Sequence, residues 1–110
     1  MTFNALLSAL KATGIPFAEG GWANAPTSGS YGTLSIVSEA SSAWASNHAQ
    51  ARAVELACDL FVRGGNGRAE LKLVEGVFDA LAVPWYLYST QTERSNAIMH
   101  YEWSVCVEEI

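Results

Sequence analysis

Charge is the scarcest commodity in this chain. Only 15% of its residues are charged, against about 25% in an average soluble domain. Basic side chains are rarer still, six in all, and the formal net charge is −5. Tight nucleic-acid binding needs clustered Lys and Arg to displace counterions. Here Lys11, Arg52, Arg63, Arg68, Lys72 and Arg94 are scattered, and only Arg63, Arg68 and Lys72 lie near one another. No face reads as a DNA-binding stripe. No apolar run approaches the ~18 residues of a membrane span. The start, Met1-Thr2-Phe3-Asn4, lacks the basic stretch of a secretory signal, so the expected compartment is the cytoplasm of the producing cell, with no membrane partner. There are only two cysteines, Cys58 and Cys106, and two histidines, His48 and His100. Two thiols in a reducing compartment are expected to be small buried hydrophobes rather than a disulfide.

What is abundant is apolar and aromatic. Half of the 110 residues are hydrophobic and four are Trp. A chain of this length suits one domain spanning 1–110, burying roughly 65% of its unfolded surface. Scarce charge beside plentiful aromatics implies that partners cover part of the apolar surface. The alternative is a monomer with a neutral Ser, Thr, Asn and Ala surface.

The periodicities give the element order. Phe3, Leu6, Leu7 and Leu10 recur at i, i+3, i+4 and i+7 and predict a helix over 2–12, with Thr2 as N-cap and Gly14 and Pro16 as stop. A short strand over 15–22 and a loop over 23–30 follow. Tyr31 to Ser38 reads as a strand, and 39–49 as a long hairpin loop or an extended β-arm. The clearest strand runs from Gln50 to Arg63. Val54, Leu56, Cys58, Leu60 and Val62 take one face, and Glu55, Asp59, Phe61 and Arg63 the other. After the break Gly64-Gly65-Asn66-Gly67, the stripe Leu71, Val74, Val77, Phe78 and Leu81 predicts a second helix over 68–82, with Asn66 as its cap. Strands over 84–92 and 97–109 form a hairpin. Met99, Tyr101, Trp103, Val105 and Val107 share one face of the last strand, and His100, Glu102 and Cys106 the other. The expected fold is α+β, a two-layer sandwich of a mainly antiparallel sheet with two helices packed on one face, in the order α-β-β-β-α-β-β. Strand parity places Cys58 and Cys106 on opposite sides of the sheet, where no bond can join them.

No catalytic or cofactor pattern emerges, so the chain is not expected to be an enzyme, and no metal or cofactor is expected. A nucleophile needs a base and an orienting group. Cys106, His100 and Glu102 share a strand face, yet at about 3.3 Å per residue Cys106 sits roughly 20 Å from His100. No CxxC or HxxxH metal spacing occurs, and the Gly-rich turn matches neither phosphate-loop nor dinucleotide motif. Trp103 reads as core and Trp85 as core or rim. Trp22 and Trp44 occupy loop-like positions, where they serve either as interface anchors or as loop anchors to the core. The candidate subunit or partner interface comprises Trp22, Trp44, His48, Arg63, Arg68, Glu93 and Arg94. Arg63 and Arg68 bracket the Gly-rich turn, placed for carboxylates on a neighbouring subunit.

Several segments in sequence resemble one family. They are the leading helix ending Gly14-Ile15-Pro16-Phe17 and Trp22 followed by a Pro-containing loop into Tyr31-Gly32-Thr33. The strand 54–61, the Gly-rich turn into the second helix, and a hairpin ending His100-Tyr101-Glu102-Trp103 complete the set. In this order and spacing the chain resembles the tail-terminator and tail-completion proteins of long-tailed phages, also described as minor capsid or head–tail joining proteins. The resemblance implies a structural virion protein at the tail neck, assembled in the host cytoplasm. It implies a ring of six copies that caps the tail tube, stops its polymerisation and docks the tail to the head connector or head-completion protein. Its partners would be itself, the tail tube protein and that connector, with genomic DNA passing through without tight binding; an acidic chain suits such a channel, since repulsion opposes counterion-release binding. The rival reading is a small phage-encoded inhibitor that holds one host protein.

Overall fold

The structure is a computed structural model, and it describes residues 1–41, 52–93 and 97–110. The first helix, α1 (Phe3–Lys11), forms where the sequence places it. Thr2 is extended and its Oγ1 accepts from the Ala5 N–H at 3.1 Å, and Lys11 sits in the last turn, where a cation suits the helix C-terminus. Its stripe Phe3, Leu6, Leu7 and Leu10 is buried. Gly14 then turns the chain with a φ of +92°, a conformation glycine adopts freely, and Pro16 leads into β1 (Phe17–Glu19).

Four longer strands complete one sheet: β2 (Tyr31–Ser41), β3 (Arg52–Arg63), β4 (Trp85–Glu93) and β5 (Ile98–Val107). Their spatial order is β1-β2-β3-β5-β4. All pairings are antiparallel except β1 with β2, which is parallel. The physical reason is the connection over 20–30, which is long enough to carry the chain back to the starting end. A parallel neighbour needs such a crossover, whereas a tight hairpin reverses direction. β1 covers only Gly32 to Leu34 of β2. Gly32 is required there: a Cβ would run into the Phe17 ring and come within 2.6 Å of the Asp59 carbonyl oxygen.

The second helix, α2 (Arg68–Ala80), ends two residues before the expected boundary. Its N-cap is Gly67, with φ +70°, rather than Asn66. Asn66 still takes part, because its Oδ1 accepts from the Arg68 N–H at 3.0 Å. A left-handed cap residue directs the chain so that the side chain one position earlier reaches the first helical amide. Val74 and Phe78 are buried, with Leu71, Val77 and Leu81 partly so.

Both helices lie on the same face of the sheet. One core joins Phe3, Leu6, Leu10, Val74 and Phe78 to Leu34, Val54, Leu56, Cys58, Leu60, Tyr101, Trp103, Val105 and Val107. The α+β order and layers are those expected. Trp103 lies at the centre, fully buried, edge-on to Phe78 at 5.9 Å, its Nε1–H donating to Glu75 Oε2 at 2.9 Å. Trp85 donates to Asp79 Oδ1 at 2.9 Å at the rim. Both thiols are free, Cys58 in the core and Cys106 on the opposite face. Among the described residues no helix is long and apolar enough to cross a membrane.

Candidate functional site

The second face of the sheet carries no helix, and it holds the polar residues of each alternating strand. Its geometry follows from register. Tyr31, Phe61 and His100 stand directly opposite one another on β2, β3 and β5, and Thr33, Asp59 and Glu102 make the next rung. Cross-strand neighbours on one face lie within about 5.5 Å, so each rung is in contact. The Tyr31 and Phe61 rings stack at 4.9 Å, and Phe61 and the His100 imidazole at 4.3 Å. Arg63 extends this ladder, its guanidinium 5.0 Å from the Tyr31 ring centre and its Nη1 donating to the Gly29 carbonyl at 3.3 Å.

Trp22 packs at the same end, also against Tyr31. It is half-buried, edge-on to Tyr31, and its Nε1–H donates to the Gly32 carbonyl at 2.9 Å. This contact pins the connection over 20–30 to the start of β2.

One diagonal contact gives the face its electrostatics. His100 Nε2 lies 2.7 Å from Asp59 Oδ1, with both side chains largely sheltered. The hydrogen bond to Asp59 raises the imidazole pKa above 6.5. Burial opposes this, and the charges of Asp59, Glu102 and Glu93 reinforce it. Asp59 Oδ2 also accepts from Thr33 Oγ1 at 3.4 Å. Donor atoms of Asp59, His100 and Glu102 all lie within 4.8 Å of one another. Sequence spacing missed this group because it joins two strands. The Cys106–His100 pairing weighed along one strand is replaced by a partner on the adjacent strand. Cys58, in the core, is held as a neutral thiol, since burial and, after it, the Asp59 charge push its pKa well up.

The raised imidazole pKa has a measurable consequence. A proton held more tightly in the folded state stabilises it fully below the unfolded value near 6.5, and that contribution is lost as pH rises through the folded pKa. In metal-free buffer, the gap in thermal midpoint between the wild type and His100→Gln is expected to be widest below pH 6.5 and to shrink above the folded pKa. A gap that widens with rising pH would contradict the assignment.

Beyond the ladder the open face becomes apolar. Both flanking strands bulge here, β2 between Ile36 and Ser38 and β4 between Leu87 and Ser89. A bulge adds a residue on one strand and re-aims its side chain. Val37, Tyr86 and Tyr88 are 58%, 56% and 65% exposed. They border a shallow depression of about 230 Å³ floored by Ala57 and Ser104 and edged by Glu55 and Glu102. A second depression of about 380 Å³ continues it past Cys106 to Pro84 and Trp85. The two share Glu55, Tyr86 and Ser104 and form one trough. Sequence reasoning did not single out these residues. The available signal was the run Tyr86-Leu87-Tyr88, apolar on successive positions of a strand whose two faces are otherwise unlike.

Of the interface candidates, Trp22 and Arg63 meet at Tyr31. Arg68 is exposed at the start of α2, and Glu93 is exposed at the end of β4. Arg63 and Glu93 pair with Ile98 from either side of β5. Trp44, His48 and Arg94 lie outside the described residues; of the connector expected over 39–49, residues 39–41 continue β2 and the rest lie outside the described residues. No protein-family model matches the chain, and no curated protein matches it in sequence.

Proposed function

We propose that this chain is a structural assembly protein. Copies of it associate head to tail into a ring at the neck of a long-tailed phage, where the ring caps the tail tube and docks it to the head connector. The observation that supports an assembly role is the uncovered trough, in which Val37, Tyr86 and Tyr88 stand exposed on a helix-free sheet face; the tail-neck setting comes from the resemblance of the sequence. A lone domain with so few charges has little reason to present three large apolar groups together. Aromatic anchors beside a polar rim suit a protein interface.

A closed ring built from one kind of subunit needs two unlike patches that fit each other. The trough supplies an apolar and acidic patch, with Glu55 and Glu102 at its edge. Arg68 and Lys72 stand exposed one turn apart on α2, on the other layer of the molecule, among the acidic Glu70, Glu75 and Asp79.

Electron microscopy of particles assembled without this protein tests the reading. Overlong tails, or finished tails detached from heads, are the expected outcome. Normal particles, together with a tight one-to-one complex between the chain and a host protein, would overturn it in favour of an inhibitor.

A further inference from the structure

We infer that Asp59, His100 and Glu102 form a binding site for a divalent transition metal of the zinc class on the open face of the sheet. Asp59 on β3 and Glu102 on β5 are direct cross-strand partners, and His100 is the next residue along the same face of β5. Three ligand atoms of two kinds, two carboxylate oxygens and an imidazole nitrogen, lie within 4.8 Å of one another on paired central strands. Such strands hold ligands more rigidly than loops do.

The charge arrangement points the same way. Like charges directly opposite across a strand pair are destabilising. Among the described residues neither Asp59 nor Glu102 has a Lys or Arg partner. Arg63 shares the face but is occupied with Tyr31 and Gly29. A protonated His100 offsets only one of the two facing carboxylates, whereas a divalent cation compensates both.

The chemistry of the donors selects the metal. Imidazole with carboxylates suits zinc and its neighbours in the first transition row. Calcium takes six to eight oxygen ligands and magnesium a near-ideal octahedron, and three side chains with one nitrogen serve neither. Zinc binds nitrogen and oxygen at about 2.0–2.2 Å, so tetrahedral ligand atoms stand roughly 3.3 Å apart. Small side-chain rotations reach that spacing: the 2.7 Å Asp59–His100 pair opens slightly and Glu102 closes in. His100 binds through Nε2, the proton shared there with Asp59 leaves to solvent, and Nδ1 carries the remaining one. The fourth position faces the open side of the sheet and takes water.

Titration of the purified full chain with zinc chloride, followed by calorimetry and by the shift of the thermal midpoint, tests the site. One zinc ion is expected per chain, with a raised midpoint, and calcium chloride at the same concentration should produce neither. Glu102→Gln and Asp59→Asn keep shape and remove charge, and each is expected to weaken zinc binding by at least about tenfold, the lower bound seen even for outer-sphere partners. His48→Gln, which alters the second histidine of the chain, is expected to bind as the wild type does. Absence of stoichiometric zinc binding, or binding unchanged in Glu102→Gln and lost in His48→Gln, would overturn the assignment. Neither result bears on ring formation, which is read by particle morphology.

Discussion

Trp103→Ala is expected to lower the unfolding free energy by about 3–5 kcal/mol, the usual cost of emptying a Trp-sized space in a core. The loss falls on a domain whose total is about 5–15 kcal/mol, so the variant retains little reserve. Trp103 is fully buried and its ring contacts Phe78 from α2 and Tyr101 from its own strand. It is therefore the point at which helix, strand and sheet interior are held together. Truncation also removes the indole hydrogen bond to the partly exposed Glu75 carboxylate, which adds to the cost of the cavity. With a urea slope of about 1–3 kcal/mol per molar, the midpoint should fall by more than a molar unit, read by far-ultraviolet circular dichroism. Trp103→Phe refills most of the space and loses only the hydrogen bond and part of the volume, so its midpoint should lie between the two. Trp22→Ala, at a half-buried loop anchor, is expected to cost less than either core truncation. A Trp103→Ala midpoint at or above that of Trp22→Ala would remove Trp103 from the centre of this account.

The elements themselves were readable from local pattern. The four apolar residues of α1 and its Thr2 cap interact over three or four positions, so sequence spacing contains them. The alternation of β3 and β5 likewise fixed which face each residue takes, and the separation of Cys58 from Cys106 followed from it. What parity cannot supply is which strands are neighbours and in what register. The insertion of β5 between β3 and β4, and the parallel pairing of β1, depend on long-range packing. The His100–Asp59 contact joins residues 41 apart in the chain and needs both facts. Each of its members was placed on a polar face, and only the register brought them together. The bulges at Val37 and Tyr88 were equally invisible, because an extra residue in a strand changes alternation by a single position. Those bulges turn ordinary edge residues into the walls of the trough.

The trough is where assembly should fail first. Val37→Asp and Tyr88→Asp replace side chains that are 58% and 65% exposed, and surface changes of this kind usually alter stability by no more than about 0.5 kcal/mol. In the proposed ring the same positions are covered by the next copy. An uncompensated charge buried in an interface costs about 2–5 kcal/mol, roughly thirtyfold to several thousandfold in affinity. The added charge also sits beside Glu55 and Glu102, so repulsion adds to desolvation. Because every copy in a ring carries the change, each interface is weakened. Both variants are therefore expected to fold with an unaltered thermal midpoint and yet to reduce the yield of infectious particles at least thirtyfold in a complementation assay. Charge reversal separates this from a general surface effect. Val37→Lys, which sets a cation beside Glu55 and Glu102, should be less defective than Val37→Asp. Full complementation by Val37→Asp and Tyr88→Asp, with normal folding, would show that the trough is not an interface.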